Sequence, residues 1–322
     1  MDKSSAQEGL DNLQRATVFA KGVVMGVSDS VPGVSGGTIA LIAGIYERLI
    51  RAISAFDLMA LQLLFRRELA QAWRHIDGAF LLPLALGMGC GLLLSANTVL
   101  YALEHAPIFV GSFFIGLVLA AMLLLRGEFT FRHSPYLLLG AGLVAALGWL
   151  QPSTEPVSSL GLFVAGAVAI SAMLLPGLSG AFILILLGAY ETMLTALVTA
   201  DIGRIAIFSA GCLVGLMVFS RLLRGLLSRF HGEAYSVIGG LLLGSLASIW
   251  PWRVPVSLAG ADGDDPMMRL ALPSEYAASL GVEAHTWIAL GFVGAGLAVV
   301  LGLNRLFISI NAASASSSAQ QK

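Results

Sequence analysis

Charge is scarce in this sequence. Asp, Glu, Lys and Arg make up 11% of the 322 residues, against about 25% in an ordinary soluble domain, which excludes a water-soluble globular fold. Cysteine is scarcer still. Cys90 and Cys212 both lie inside apolar runs, so neither a disulfide framework nor a cysteine zinc site is available, and they read as small buried hydrophobes. The histidines, at positions 75, 105, 133, 231 and 285, are scattered through connecting segments without ligand spacing and are assigned no role. No basic stretch leads into an isolated short apolar core, so a cleavable signal peptide is not expected. No metal, cofactor or nucleic-acid partner is implied.

What abounds is apolar sequence. The chain is 57% hydrophobic, with runs at 79–101, 107–125, 205–223 and 286–302. Crossing a bilayer takes about 20 such residues, with a range of ~17–25. The chain therefore reads as an all-α polytopic membrane protein, with the bilayer as its first partner.

An internal repeat organises it. The segment "PGVSGGTIALIAGIYERLI" from Pro32 returns as "PGLSGAFILILLGAYETML" from Pro176, an offset of 144 positions, with Pro, Gly, Ser, Gly, Ile, Gly, Tyr and Glu identical. Chance likeness between apolar helices would favour Leu and Val, not a shared Pro-Gly-x-Ser-Gly followed by Gly-x-Tyr-Glu. Each copy reads as a helical hairpin broken at Pro-Gly (17–53 and 160–199) followed by three spans, near 79–101, 107–125 and 135–150, then 204–222, 235–250 and 286–304. The expected organisation is an N-terminal segment 1–16, repeat 1 over 17–150, repeat 2 over 151–308 with an outer loop at 251–285, and a disordered tail over 309–322.

The Pro-Gly link leaves no room for a solvated loop. The first arm's apolar run ends at Ser28, too short to cross a hydrocarbon core about 30 Å thick. Both hairpins are therefore expected to be re-entrant, entering and leaving on one side, since irregular backbone at membrane depth survives only where protein buries it or it lines a cavity. With the N-terminus cytoplasmic, all but three of the 18 Lys and Arg residues fall inside, the exceptions being Arg204, Arg253 and Arg269. This obeys the positive-inside rule and puts both termini in the cytoplasm. One hairpin plus three spans is an odd number of crossings, so the second repeat is inverted. Inverted repeats with broken helices are the mark of secondary transporters.

The tips carry the chemistry. Pro32 cannot continue a helix, and Gly33 takes backbone angles closed to other residues. Ser35 stands where an N-cap belongs, with Gly36, Gly37 and Thr38 in the first turn of the next helix. A helix N-terminus offers free N–H groups and a positive dipole end, an anion site suited to phosphate. Pro176, Gly177, Ser179 and Gly180 repeat the arrangement. Ser28, Asp29 and Ser30 make the first tip polar, whereas the second has Ala172, Met173 and Leu174 there. Asp29 is the clearest intramembrane acid, which by default marks function; burial and the negative helix end both disfavour its charge, so it is assigned a proton-coupling or gating role, with a structural hydrogen bond to the tip backbone as the alternative. Tyr46-Glu47 and Tyr190-Glu191 are placed nearer the interfaces as one helix runs on from each tip. There the tyrosines anchor, Glu47 pairs with Arg48 or Arg51, and these cations, with Glu191 on the other side, complete the candidate substrate-binding set.

These two motifs resemble the bacterial polyprenyl-phosphate transporter family, over about residues 17–308. The resemblance implies a flippase that returns undecaprenyl phosphate to the inner leaflet of the bacterial cytoplasmic membrane, with a polyprenyl-phosphate lipid as partner and no catalysis; a homo-oligomer is left open. Carrying the motif over points to Asp29, Pro32, Gly33, Ser35, Gly36, Gly37 and Thr38, and to Pro176, Gly177, Ser179 and Gly180. Ala181-Phe182 in place of Gly37-Thr38 departs from a symmetric phosphate cradle. Two rivals stand beside this reading. One is an undecaprenyl-pyrophosphate phosphatase-like enzyme, against which both tips lack an arginine and Asp29 has no acidic companion; the other is a transporter of small soluble anions.

Overall fold

A computed structural model describes residues 12–29, 35–128, 131–150, 153, 157–256 and 267–320. Among the described residues the chain's regular structure is helical apart from one two-stranded ribbon. Its helices are α1 (Asn12–Asp29), α2 (Gly36–Ile42), α3 (Tyr46–Ser54), α4 (Leu58–Phe65), α5 (Leu69–His75), α6 (Gly78–His105), α7 (Pro107–Leu125), α8 (Ser134–Trp149), α9 (Ser159–Leu174), α10 (Gly180–Leu186), α11 (Tyr190–Val198), α12 (Ile202–Arg229), α13 (His231–Ser248), α14 (Pro273–Leu280) and α15 (Thr286–Gln320). Four are long and apolar enough to cross a membrane: α6, α7, α12 and α15. The bent pair α10–α11 is a fifth candidate, either a broken span or a re-entrant loop. The 16-residue α8 and α9 are shorter apolar helices.

The helices associate in pairs: α1 on α6, α9 on α12, α8 on α13 and α7 on α15. Glycine sets each pairing. Gly22 and Gly26 of α1 face carbonyls of α6, and Gly166 of α9 faces one of α12. Gly140 meets Gly240 between α8 and α13, and between α7 and α15 Gly116 faces Val293 O while Gly296 faces Phe113 O; a Cβ at any of them would collide with the partner's backbone. Lipid tails are as apolar as Leu, so close backbone approach replaces the hydrophobic drive that would hold these helices together in water.

Three expectations are corrected. The second arm of each hairpin is not one helix. It stops at Gly44 or Gly188, both at φ +66°, and restarts at the following Tyr. Each stop is a Schellman motif: Gly44 N–H donates to Leu41 O and Ile45 N–H to Ala40 O, as Gly188 N–H donates to Ile185 O and Ala189 N–H to Leu184 O. In the second copy the two helices are bent by 107°. The shared Gly-x-Tyr-Glu is thus a helix stop and restart, with Glu47 and Glu191 in the first turn of the new helix, where an acid suits the dipole. Secondly, α15 continues through the Ala/Ser tail to Gln320; that stretch holds no Gly or Pro to stop it. Thirdly, the segment 251–285, expected as a loop, contains β1 (Arg253–Val256) paired antiparallel with β2 (Met267–Leu270), followed by α14. The aspartates at 262, 264 and 265 lie outside the described residues.

Candidate functional site

The site forms where the two broken hairpins meet. Ser35 caps α2 as expected, accepting the Gly37 N–H on its Oγ at 3.1 Å. The Asp29 carboxylate, at the end of α1, takes the preceding N–H: its Oδ1 accepts from Gly36 at 2.6 Å. The Thr38 N–H donates to Ser35 O at 2.8 Å. The first three N–H groups of α2 are therefore filled by the chain itself, and the place expected to receive a phosphate holds the carboxylate of Asp29. The carboxylate lies directly over Gly36: a Cβ there would come within 2.6 Å of Asp29 Oδ2 and would push the side chain aside.

The second tip has the same geometry with different chemistry. Ser179 caps α10, its Oγ accepting from Phe182 N at 3.5 Å, a long contact. Met173 lies over Gly180, where a Cβ would meet its Cγ at 2.6 Å and its Sδ at 2.8 Å. Met173 thus stands on Gly180 as Asp29 stands on Gly36, at the same sequence spacing.

The tips are bonded to one another by side chains of the first hairpin. Ser35 Oγ also donates to Met173 O at 3.2 Å, and the buried Tyr46 hydroxyl donates to Leu174 O at 2.9 Å. Thr38 Oγ1 accepts the Gly177 N–H at 3.2 Å. Two of the carbonyls that α9 leaves open at its C-terminus are satisfied this way. Tyr46, expected to anchor at an interface, is 2% exposed; the stop at Gly44 turns it inward against the opposite tip. Pro176 and Gly177 are buried, with Gly177 at φ +88° against Leu241 O. Ser28 is buried beside Asp29. Ser30, Pro32 and Gly33 lie outside the described residues.

A residue that sequence reading left among the inner cations completes the arrangement. Lys21, 6% exposed, sits in α1 and donates from Nζ to Ala43 O, the C-cap of α2, at 2.8 Å. The seven-residue α2 is about 10 Å long, close to the separation of Lys21 and Asp29 along α1. Opposite charges from one helix therefore meet both ends of the other's dipole. The signal was available: a lysine inside an apolar helix is as unusual as an aspartate.

The remaining charges lie at the helix ends. Glu47 does not pair with its neighbours, because Arg48 makes a two-pronged contact with Asp77 at 2.7 and 3.1 Å and lies over the Phe80 ring. Glu47 instead accepts from the Tyr235 hydroxyl at 3.0 Å and faces His231 Nδ1 at 3.7 Å, whose Nε2 lies 3.2 Å from Glu128. Four histidines set aside from the sequence thus have carboxylate neighbours: His231, His75 beside Asp57, His133, 3.9 Å from Glu233, and His285, 3.5 Å from Glu283. Arg51 and Glu191 are exposed, away from the tips. Arg221 and Arg224 of α12 donate to Phe56 O and Ser54 Oγ, clasping the end of α3. Among the described residues no cluster of His, Cys, Asp and Glu is placed to hold a metal.

Comparison with known proteins adds a family. A family model described as undecaprenyl phosphate translocase-like matches residues 25–262, well over half of the chain. A polyprenyl-phosphate transporter of Vibrio cholerae is 37% identical over 295 residues, covering 90% of this chain and 96% of the relative. A polyprenyl-phosphate transporter of Staphylococcus aureus is 31% identical over 252 residues, covering 72% and 84%. No solved structure matches the chain.

Proposed function

The chain belongs to the undecaprenyl phosphate translocase-like family, and from that premise we propose that it returns undecaprenyl phosphate from the outer to the inner leaflet of the bacterial cytoplasmic membrane. The observation that carries the mechanism is Asp29 on the Gly36 N–H. An anion already occupies the first turn of α2, and a lipid phosphate would take its place. Protonation of Asp29 removes the charge that competes for these N–H groups, so a proton taken up at the first tip frees the helix end for substrate. The hydroxyls of Ser35 and Thr38, now holding the second tip, are the contacts that an arriving phosphate would share. At the second tip Ser179 and Gly180 are proposed to receive the phosphate without a competing acid.

The architecture proposed for this is a pair of inverted repeats with re-entrant hairpins. Several relationships support it. The pairing α1 on α6 repeats as α9 on α12, and α8 on α13 repeats as α15 on α7. Gly22 and Gly166, 144 positions apart, serve equivalent pairings. Asp29 on Gly36 repeats as Met173 on Gly180, and both Schellman breaks coincide. The scarcity of Lys and Arg outside supports cytoplasmic termini. The prenyl tail is proposed to remain in lipid beside an opening between the repeats. No hydrolysis is proposed, because Asp29 has no acidic companion and neither tip supplies an arginine to stabilise developing charge.

Flipping of labelled undecaprenyl phosphate in liposomes, with and without a pH gradient, tests the proposal. Flipping that accelerates with a gradient supports it. Well-folded protein that moves no lipid, or that moves soluble phosphate equally well, would sink it.

A further inference from the structure

The hairpin α4–α5 has no part in the tips, and its composition is at odds with its size. α4 has eight residues and α5 seven, so they are about 12 Å and 10 Å long, far short of a hydrocarbon core about 30 Å thick. Yet α4 reads "LMALQLLF" and buries only Leu63. Leu58 is 76% exposed, Phe65 79% and Leu69 62%, with Leu64 and Trp73 also open. Neither water nor the hydrocarbon core suits such an element. Water would leave a large apolar patch uncovered, and a span needs more length.

Charge decides what covers it. The turn between the helices carries Arg66 and Arg67, and α5 ends on Arg74 and His75. Arg66, Arg67 and Arg74 are exposed, and among the described residues none makes an ion pair. The hairpin is nevertheless firmly built. Asp57 caps α4 through the Ala60 N–H at 2.9 Å and meets His75 Nε2 at 3.0 Å, tying the start of α4 to the end of α5. The Arg48–Asp77 pair, with Arg48 over Phe80, fixes the base between α3 and α6. Apolar side chains beside unpaired arginines on a rigid, non-spanning element fit an interface, with apolar groups among the upper acyl chains and guanidinium groups at the phosphates.

We propose that α4–α5 is an interfacial paddle that binds an anionic phospholipid surface, Arg66, Arg67 and Arg74 taking the headgroup phosphates while Leu58, Phe65 and Leu69 sink beneath them. Each arginine near an anionic surface contributes about fivefold in affinity. The inference rests neither on the transport reading nor on which side of the membrane the hairpin faces.

Two measurements on the full chain in nanodiscs test it. In a Cys90→Ala/Cys212→Ala background, a bimane on Phe65→Cys is expected to be quenched several-fold by lipids brominated on the upper acyl chain. Titration with phosphatidylglycerol, followed by native mass spectrometry, is expected to show binding weakened roughly a hundredfold in R66Q/R67Q/R74Q. An unquenched probe would overturn the paddle; if the protein also crosslinks as a dimer through Phe65→Cys, the face belongs to a second copy. Equal phosphatidylglycerol binding by the triple variant and the parent would overturn the role of the arginines. The quenching measurement keeps all three arginines, so it stands even if the triple variant folds poorly.

Discussion

Asp29 accepts the Gly36 N–H at 2.6 Å, so the end of one membrane helix supplies the anion that fills the start of the next. Under the proposed mechanism, this makes the first tip a site in competition with itself. Any phosphate that takes the Gly36 N–H must first dislodge a carboxylate, and the strength of that hold depends on charge.

Asp29→Asn separates charge from shape. The amide oxygen can still accept from Gly36, but a neutral acceptor gives up about 1 kcal/mol relative to a charged one. The tip should therefore stay folded. As pH falls, Asp29 in the parent becomes neutral and releases the helix end, so lipid flipping should rise; the asparagine variant should flip at a nearly constant rate over the same range. A parallel pH profile in parent and variant would remove Asp29 from the coupling step.

Lys21 holds the other end of α2. Lys21→Met keeps the length of the side chain and removes its donor to Ala43 O. Global stability should change little, because the loss of a charged hydrogen bond is offset by relief from burying an ammonium group. The local effect should be larger. Amide exchange at Gly44 and Ile45, which close the Schellman stop next to Ala43, should quicken about tenfold, a factor equivalent to roughly 1.4 kcal/mol of local opening. Unchanged protection there would show that Lys21 does not support the break.

The bridge between the tips can be cut by one atom. Tyr46→Phe removes the hydroxyl that satisfies Leu174 O and leaves that carbonyl unpaired in a buried place, at a cost of about 1–3 kcal/mol. The melting temperature in detergent should fall accordingly, and crosslinking between cysteines placed on the two tips should become less efficient. A melting temperature equal to the parent's would mean that another donor reaches Leu174.

Much of this was legible in the residues. Four of the expected spans, α6, α7, α12 and α15, and the N-caps at Ser35 and Ser179 followed from patterns local to the chain, because apolar run length and a serine cap act through neighbouring residues. The stops at Gly44 and Gly188 were missed, although a shared glycine after an apolar run is a helix-end signal; apolar sequence on both sides made the helix look continuous. Tyr46 was misplaced for the same reason, since its distance from the tip was measured along a helix that in fact turns. The bonds from Ser35, Tyr46 and Thr38 to Met173, Leu174 and Gly177 join residues more than a hundred positions apart. No local pattern encodes them. The pairing of Lys21 with Ala43 O depends on α1 and α2 lying antiparallel, which only the fold supplies.

The two stops should differ in their tolerance of a methyl group. Both glycines adopt φ +66°, where an L-residue costs about 1–2 kcal/mol. Around Gly44 no atom lies within 4 Å of an added Cβ, whereas at Gly188 it would meet Ser153 O at 2.5 Å. Gly44→Ala should therefore lose about 1–2 kcal/mol, and Gly188→Ala should lose more and displace Ser153. Thermal unfolding of the two variants side by side distinguishes them; equal losses would mean that the Ser153 segment gives way freely.

The equivalence of Asp29 and Met173 allows a sharper test of the proposed inverted arrangement. Each lies over the first glycine of the following helix, yet only one can be charged. In the exchange variant Asp29→Met/Met173→Asp, the acid moves from the α2 tip to the α10 tip while the local packing partners stay the same. If the two hairpins enter from opposite sides of the membrane, the groups that deliver protons to the acid change sides with it. Flipping in proteoliposomes with oriented protein should then respond to pH on the face opposite to that sensed by the parent. Met173→Asp alone should respond to both faces, and Asp29→Met alone to neither. Response of the exchange variant to the same face as the parent would be incompatible with tips that open to opposite sides.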